Sequence, residues 1–298
     1  MDEHATPVSI VTVRATDGAS AQLLVQPAAG PAYGLLYWLP AMGVPARHYL
    51  PLAQALAAHG ISTVLHEWRG FGSSDRRAGR RCNWGYRELL ELDMPAALAS
   101  ARSFGADVPC WIGGHSLGGQ LACLYASQHP DAFAGLALVA SGSPYWQCFA
   151  HRRTVRAGYA LAPAVAALLG YFPGRRLGFG GNEARRVIDD WARSGRRGVY
   201  AAQGMRADLE SDLAKLDLPV LGIRLSDDWL STPASLDWLL AKMPRAPIVQ
   251  VELGADALDA PANHFAWMKA PMPVAARIAA QFRASTVSCA ECSDHRTS

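Results

Sequence analysis

Trp111-Ile112-Gly113-Gly114-His115-Ser116-Leu117-Gly118-Gly119 sets one hydroxyl among glycines, between an apolar β-rich run and a helical one. This is G-x-S-x-G at a strand-to-helix turn. Turning within about one residue forces the serine into strained backbone angles, and a side chain at Gly114 or Gly118 would collide with neighbouring backbone. The spacing predicts an exposed Ser116 Oγ. It also leaves the Leu117 N–H at a helix N-terminus, able to donate to a developing oxyanion.

A serine hydroxyl is a poor nucleophile near neutral pH, so it needs a base, and the base needs an orienting carboxylate. On a strand-turn-helix platform the order is Ser, then an acid after a later strand, then a C-terminal His. Pro219 to Leu225 runs into Ser226-Asp227-Asp228, and Ile248 to Leu253 is followed by a loop holding Asn263-His264-Phe265. His264 is assigned as general base and then general acid. His4 and His295 lie in the termini, His48, His59 and His129 sit in or beside helices, and the turn points His115 elsewhere. Only one of two adjacent acids can face the base. Asp228, followed two residues on by Leu230, is favoured over Asp227, followed by Trp229; the other acid becomes a loop cap or a solvated carboxylate.

These residues need a scaffold, and the first half of the chain supplies the rhythm of one. Val8 to Ala15 and Ala21 to Gln26 read as a hairpin about Asp17-Gly18. Leu35 to Leu39 and Ile61 to His66 are apolar enough to be buried central strands. A helix over His48 to His59 stops at Gly60. Helix Gly85 to Ser103, strand Pro109 to Gly113, helix Leu117 to Gln128 and strand Ala134 to Ala140 follow. Alternation of this kind signals an α/β protein with a mostly parallel sheet flanked by helices. It stops for about seventy residues after Ser143, then resumes with strand Pro219 to Leu225, helix Pro233 to Met243, strand Ile248 to Leu253 and helix Pro273 to Ala284. The expected organisation is a core of residues 1–144 and 213–285, an all-helical insertion over 145–212, and a flexible tail over 286–298.

Composition excludes several classes. Half the residues are apolar and 18% are charged, which is neither a disordered chain nor a disulfide mini-scaffold. Mean hydropathy is +0.04, and the most apolar stretch, Tyr159 to Leu169, is shorter than the roughly 18 residues a membrane span needs and carries Pro163. Net charge is +3, which gives no reason to expect nucleic acid. Residues 151–200, however, hold ten Arg against three acids. The polar start MDEHATPVS lacks a basic region followed by an apolar core, so a cytoplasmic chain is expected, with six reduced cysteines. Cys289 and Cys292, with His295 nearby, fall short of the four ligands of a zinc site; no metal and no organic cofactor is expected.

On Gly114-His115-Ser116-Leu117-Gly118-Gly119 and the run from Leu39 to Asp75, the chain resembles the α/β-hydrolase superfamily, in its serine aminopeptidase-like and monoacylglycerol-lipase-like branch. The resemblance covers residues 20 to 284. It implies a serine hydrolase acting on a carboxylic ester, thioester or amide, with acyl transfer or a non-catalytic binding scaffold as alternatives. A dehalogenase fits poorly, because the nucleophile position is Ser and not Asp. The resemblance carries the second oxyanion N–H to Met42, after Pro40-Ala41 in place of a His-Gly pair. It makes Glu67-Trp68-Arg69-Gly70 a support for the active-site floor and the insertion a cap over the site. The expected partner is a small acyl substrate, apolar, or anionic if the Arg-rich stretch forms a positive rim.

Overall fold

A computed structural model describes residues 7–294. Its centre is an eight-stranded sheet: β1 (Ser9–Arg14), β2 (Ser20–Gln26), β3 (Gly34–Leu39), β4 (Ile61–Leu65), β5 (Cys110–His115), β6 (Gly135–Val139), β9 (Val220–Leu225) and β10 (Ile248–Leu253). The order is β1-β2-β4-β3-β5-β6-β9-β10. β2 runs antiparallel to β1 and β4, and from β4 onward every pairing is parallel.

The middle strands are apolar without alternation because both faces are covered. In β3, Leu35, Tyr37 and Leu39 face one layer, where Leu121 and Tyr125 of helix Leu117–Gln128 pack. Leu36 and Trp38 face the other, with Leu52 and Leu56 of helix Leu50–Ala58 and Ile278 and Phe282 of helix Met272–Asp294. This last helix runs well past Ala284, so residues 286–294 continue it where the sequence suggested a tail. The side chains of Cys289 and Cys292, and the whole of His295, lie outside the described residues.

Between β6 and β9 the insertion is not all-helical. Helix Arg152–Leu169 ends at Gly170 in the left-handed region (φ 89°) and gives way to a two-stranded antiparallel hairpin of β7 (Tyr171–Pro173) and β8 (Asn182–Ala184), before helix Arg185–Arg197. Three-residue strands are too short to show a period of two, which is why the sequence hid them. The insertion is tied to the body by buried polar contacts. Asp190, fully buried, accepts from the N–H of Tyr86 in the body (3.0 Å) and from that of Gln203 within the insertion (3.1 Å), and Arg186 pairs with Glu88 of the body at 2.8 Å. Helix Leu209–Lys215 packs Leu209 and Leu213 into the layer beside Leu121, so the expected cap span of 145–212 takes in residues that belong to the body's core.

Candidate active site

Strand order reverses at the centre of the sheet, since the chain leaves β3 for β4 on one side and returns to β5 on the other. A crevice opens at the carboxyl ends of the strands on either side of such a reversal. The segment after β3 is Pro40-Ala41-Met42 and the residue after β5 is Ser116, so both candidate oxyanion donors and the hydroxyl sit at one point of the fold.

Ser116 has φ 54° and ψ −121°, a backbone conformation that L-residues rarely adopt and that persists only where the surroundings enforce it. Enforcement comes from close packing. A Cβ at Gly118 would lie 2.1 Å from the Leu39 carbonyl oxygen and one at Gly114 2.4 Å from the Gly118 carbonyl carbon. The Ser141 hydroxyl donates to the Ser116 carbonyl at 2.7 Å. Leu117 opens the helix, so its N–H has no carbonyl one turn earlier within the helix to bond.

His264 is 6% exposed and its Nδ1 donates to Asp228 Oδ2 at 2.7 Å. Asp228 Oδ1 accepts from the N–H groups of Leu230 (2.9 Å) and Ser231 (3.0 Å). With both oxygens engaged the carboxylate is held in one orientation, and it fixes the imidazole with Nε2 as the lone-pair nitrogen. Asp227 is exposed and accepts from its neighbour Ser226 Oγ at 3.1 Å. Of the two candidate acids, the structure brings Asp228 to the histidine.

The loop after β3 is secured on three sides. Trp68 Nε1 donates to the Pro40 carbonyl at 2.8 Å, the Ala41 N–H donates to Tyr49 Oη at 2.9 Å, and the Ala46 N–H donates to Glu67 Oε1 at 3.1 Å. Because the Ala41 N–H is spent on Tyr49, Met42 is left as the backbone donor this loop can offer to the crevice. Glu67 is buried, which raises its pKa. Its neighbour Arg69 bridges Asp17 (2.6 Å) and Asp93 (2.5 Å), with Asp93 closing a π-helical stretch, Leu89–Asp93. The Glu67-Trp68-Arg69 segment thus braces the loop from below.

His115, expected to be turned away from the chemistry, is fully buried and packs its ring against that of His264. Tyr49 Oη sits 2.9 Å from its Nδ1. Burial, and then the proximity of His264, push the His115 pKa well below the usual imidazole range, so the ring is neutral. Neither Tyr49 nor this role of His115 was legible in the sequence, because the contact joins a helical turn to a strand end 66 residues away.

Ser116, Leu117, Met42 and His264 all line one cavity of about 840 Å³. Its other walls are largely apolar: Phe149, Val155, Tyr159, Phe172, Phe179 and Trp191 from the insertion, and Trp229, Leu230 and Phe265 from the body. Among the described residues no Lys, Arg, Asp or Glu lines it, so an anionic substrate would find no cationic partner inside. Three of the insertion's arginines have structural partners instead: Arg193 with Asp190, Arg186 with Glu88 and Arg196 with the Tyr159 carbonyl. Among the described residues no group of side chains suits a metal ion, and no helix is long and apolar enough to cross a membrane.

Residues 31–172 match a family model described as serine aminopeptidase, S33. No curated protein matches by sequence. Among solved structures, the chain is similar to a soluble variant of monoglyceride lipase from Saccharomyces cerevisiae in complex with a substrate analogue (TM-score 0.65, 17% identity, covering 94% of this chain and 97% of that one). It is similar to DcsB in complex with its substrate analogue (0.62, 15%, 94% and 99%), and to the esterase domain of a Rhodothermus marinus protein (0.59, 16%, 93% and 98%). At these identities the likeness is one of fold.

Proposed function

We propose that this chain, which belongs to the α/β-hydrolase superfamily, is a serine hydrolase that cleaves a neutral carboxylic ester with a largely apolar acyl or alkyl part. The observation that carries the reading is the 2.7 Å His264–Asp228 pair on the cavity that also holds Ser116 in its strained turn.

In this reading Ser116 Oγ attacks the ester carbonyl carbon while His264 Nε2 takes its proton. The oxyanion is met by the N–H groups of Leu117 and Met42. Collapse of the tetrahedral species breaks the bond to the alcohol oxygen, which leaves with the proton from His264. Water then enters, His264 removes its proton, and attack on the acyl-enzyme releases the acid and restores Ser116. Asp228 keeps the imidazole in the required tautomer and offsets its positive charge. The insertion acts as a cap that keeps bulk water from the acyl-enzyme while the alcohol departs. The lack of charge in the cavity walls supports a neutral, apolar substrate, since an unpaired ion there would lose its hydration without return.

The test is intact-protein mass after exposure to a fluorophosphonate, followed by turnover of p-nitrophenyl esters of increasing chain length. One adduct on Ser116, absent from Ser116→Ala, and an optimum at medium or long chains are expected. The variant should lose about six orders of magnitude in kcat. An unlabelled serine with no ester turnover would refute the reading.

A further inference from the structure

One polar side chain in the cavity has no part in the mechanism above. Gln120 lies in the first turn of helix Leu117–Gln128, four residues after Ser116, which puts it on the same side of the helix. It is only 5% exposed and lines the cavity beside Leu117, so what it does expose faces the cavity space.

Its amide is oriented from behind. Tyr200 Oη donates to Gln120 Oε1 at 3.3 Å, and burial raises the pKa of this phenol well above its ordinary value, so it remains a donor. Tyr200 is itself fixed: its N–H donates to Glu210 Oε1 at 2.6 Å, and Lys242 Nζ lies 5.6 Å from its ring centre while pairing with Glu210 Oε2 at 2.7 Å. With Oε1 engaged, the free end of the amide is its NH2 group. Among the described residues nothing accepts from Gln120 Nε2, and this nitrogen is not among the buried polar atoms sealed away without a partner.

We propose that Gln120 is a specificity-determining residue whose amide NH2 binds an acceptor oxygen, such as a ketone or ether, carried by the substrate near the scissile ester. This inference rests on the serine hydrolase reading and deepens it: the preferred substrate is an oxygen-bearing chain and not a plain hydrocarbon one. A purely apolar chain that fills the cavity shuts solvent off from Nε2 and leaves a buried donor unpaired. A chain with an acceptor at the right carbon restores the bond. Sites that hold a donor for their substrate discriminate against the analogue lacking its partner far better than an apolar wall discriminates one methylene.

The experiment compares ethyl esters of eight-carbon acids, plain or with one ketone at each successive carbon, and a mirrored set with the ketone in the alcohol part, with hydroxyl analogues at the best position. At one position kcat/KM exceeds that of the plain ester by about tenfold or more. In Gln120→Leu the ratio collapses to near unity while the fluorophosphonate still labels Ser116. In Gln120→Glu it inverts, because an acceptor now faces an acceptor. Should Gln120→Leu fail to fold, Tyr200→Phe frees the amide to rotate, and the ketone preference falls severalfold. The proposal is overturned if no ketone position is preferred, if only hydroxyl analogues are, or if the preference survives in Gln120→Leu. Those outcomes occur with Ser116 labelled and plain esters turned over; loss of labelling and turnover in the wild-type protein would instead remove the hydrolase reading and this inference together.

Discussion

The imidazole rings of His115 and His264 lie with their centroids 4.7 Å apart and their planes at 46°. One precedes the candidate nucleophile in sequence; the other is the candidate base. His115 therefore sets a wall for the base, and through Tyr49 that wall is joined to the loop carrying Met42. Tyr49 Oη accepts from the Ala41 N–H and shares a hydrogen bond with His115 Nδ1. A single hydroxyl ties the loop to a neutral His115.

Replacing Tyr49 with Phe removes both bonds and leaves two buried polar groups without partners. Each orphan costs on the order of 1–3 kcal/mol, which urea denaturation would register as a lower midpoint at unchanged slope. Esterase kcat/KM should fall at least about tenfold, approaching the 10²–10³ that accompanies complete loss of an oxyanion donor. Unchanged kinetics would show that Met42 is held without Tyr49.

The two adjacent acids should separate sharply. Asp228→Asn keeps the shape but reverses the hydrogen bond that sets the His264 tautomer, and kcat is expected to drop by about 10³–10⁴. Asp227→Asn, altering an exposed carboxylate, should leave kcat within a factor of about three. Steady-state rates of the two variants on one ester decide the assignment.

At Gly43 the backbone is left-handed (φ 78°), and an added Cβ would lie 2.2 Å from the Gly181 nitrogen of the insertion hairpin. Gly43→Ala must push the loop and the hairpin apart. A loss of more than about 1 kcal/mol in stability is expected from strain at this position, together with a lower kcat. A variant equal to wild type in both melting temperature and kcat would contradict the contact.

Glu183 gives a pH dependence with a definite sign. Burial raises its pKa from 4.5 to about 7, partly opposed by the Gly181 N–H donating to Oε1 at 3.0 Å. The folded protein thus holds a proton that the unfolded chain releases above about pH 4.5. The contribution of Glu183 to stability, on the order of 3 kcal/mol, is lost as pH rises from there to about 7 and is level above it. Glu183→Gln keeps an acceptor for Gly181 and removes the charge, so relative to wild type it should raise the melting temperature more at pH 8 than at pH 5. Glu67, Asp93 and Asp190, raised mainly by burial too, act in the same sense, while the buried His66 and His115, lowered by burial, act in the opposite sense in wild type and variant alike.

Much of this was legible because short-range chemistry dictates it. The glycines around Ser116 announce the sharp turn, the unbroken apolar runs of β3 to β6 announce a sheet covered on both faces, and the helix Leu117–Gln128 falls within the limits its periodicity sets. What escaped depends on contacts between distant segments. Nothing local marks Tyr49 or Gln120 as facing the site, and Glu183 reads as one more surface acid until the hairpin folds it beneath Met42. Choosing between Asp227 and Asp228 likewise needed the path of the loop, since neighbours in sequence differ here only in which way the chain turns.

The approach of Gly43 to Gly180 and Gly181 also joins two parts of the molecule that the sequence keeps far apart. Gly180 lines the cavity, while Gly43 follows Met42 in the chain. Loop and hairpin thus meet backbone against backbone with no side chain between them, and at that density neither can be reshaped without the other registering it.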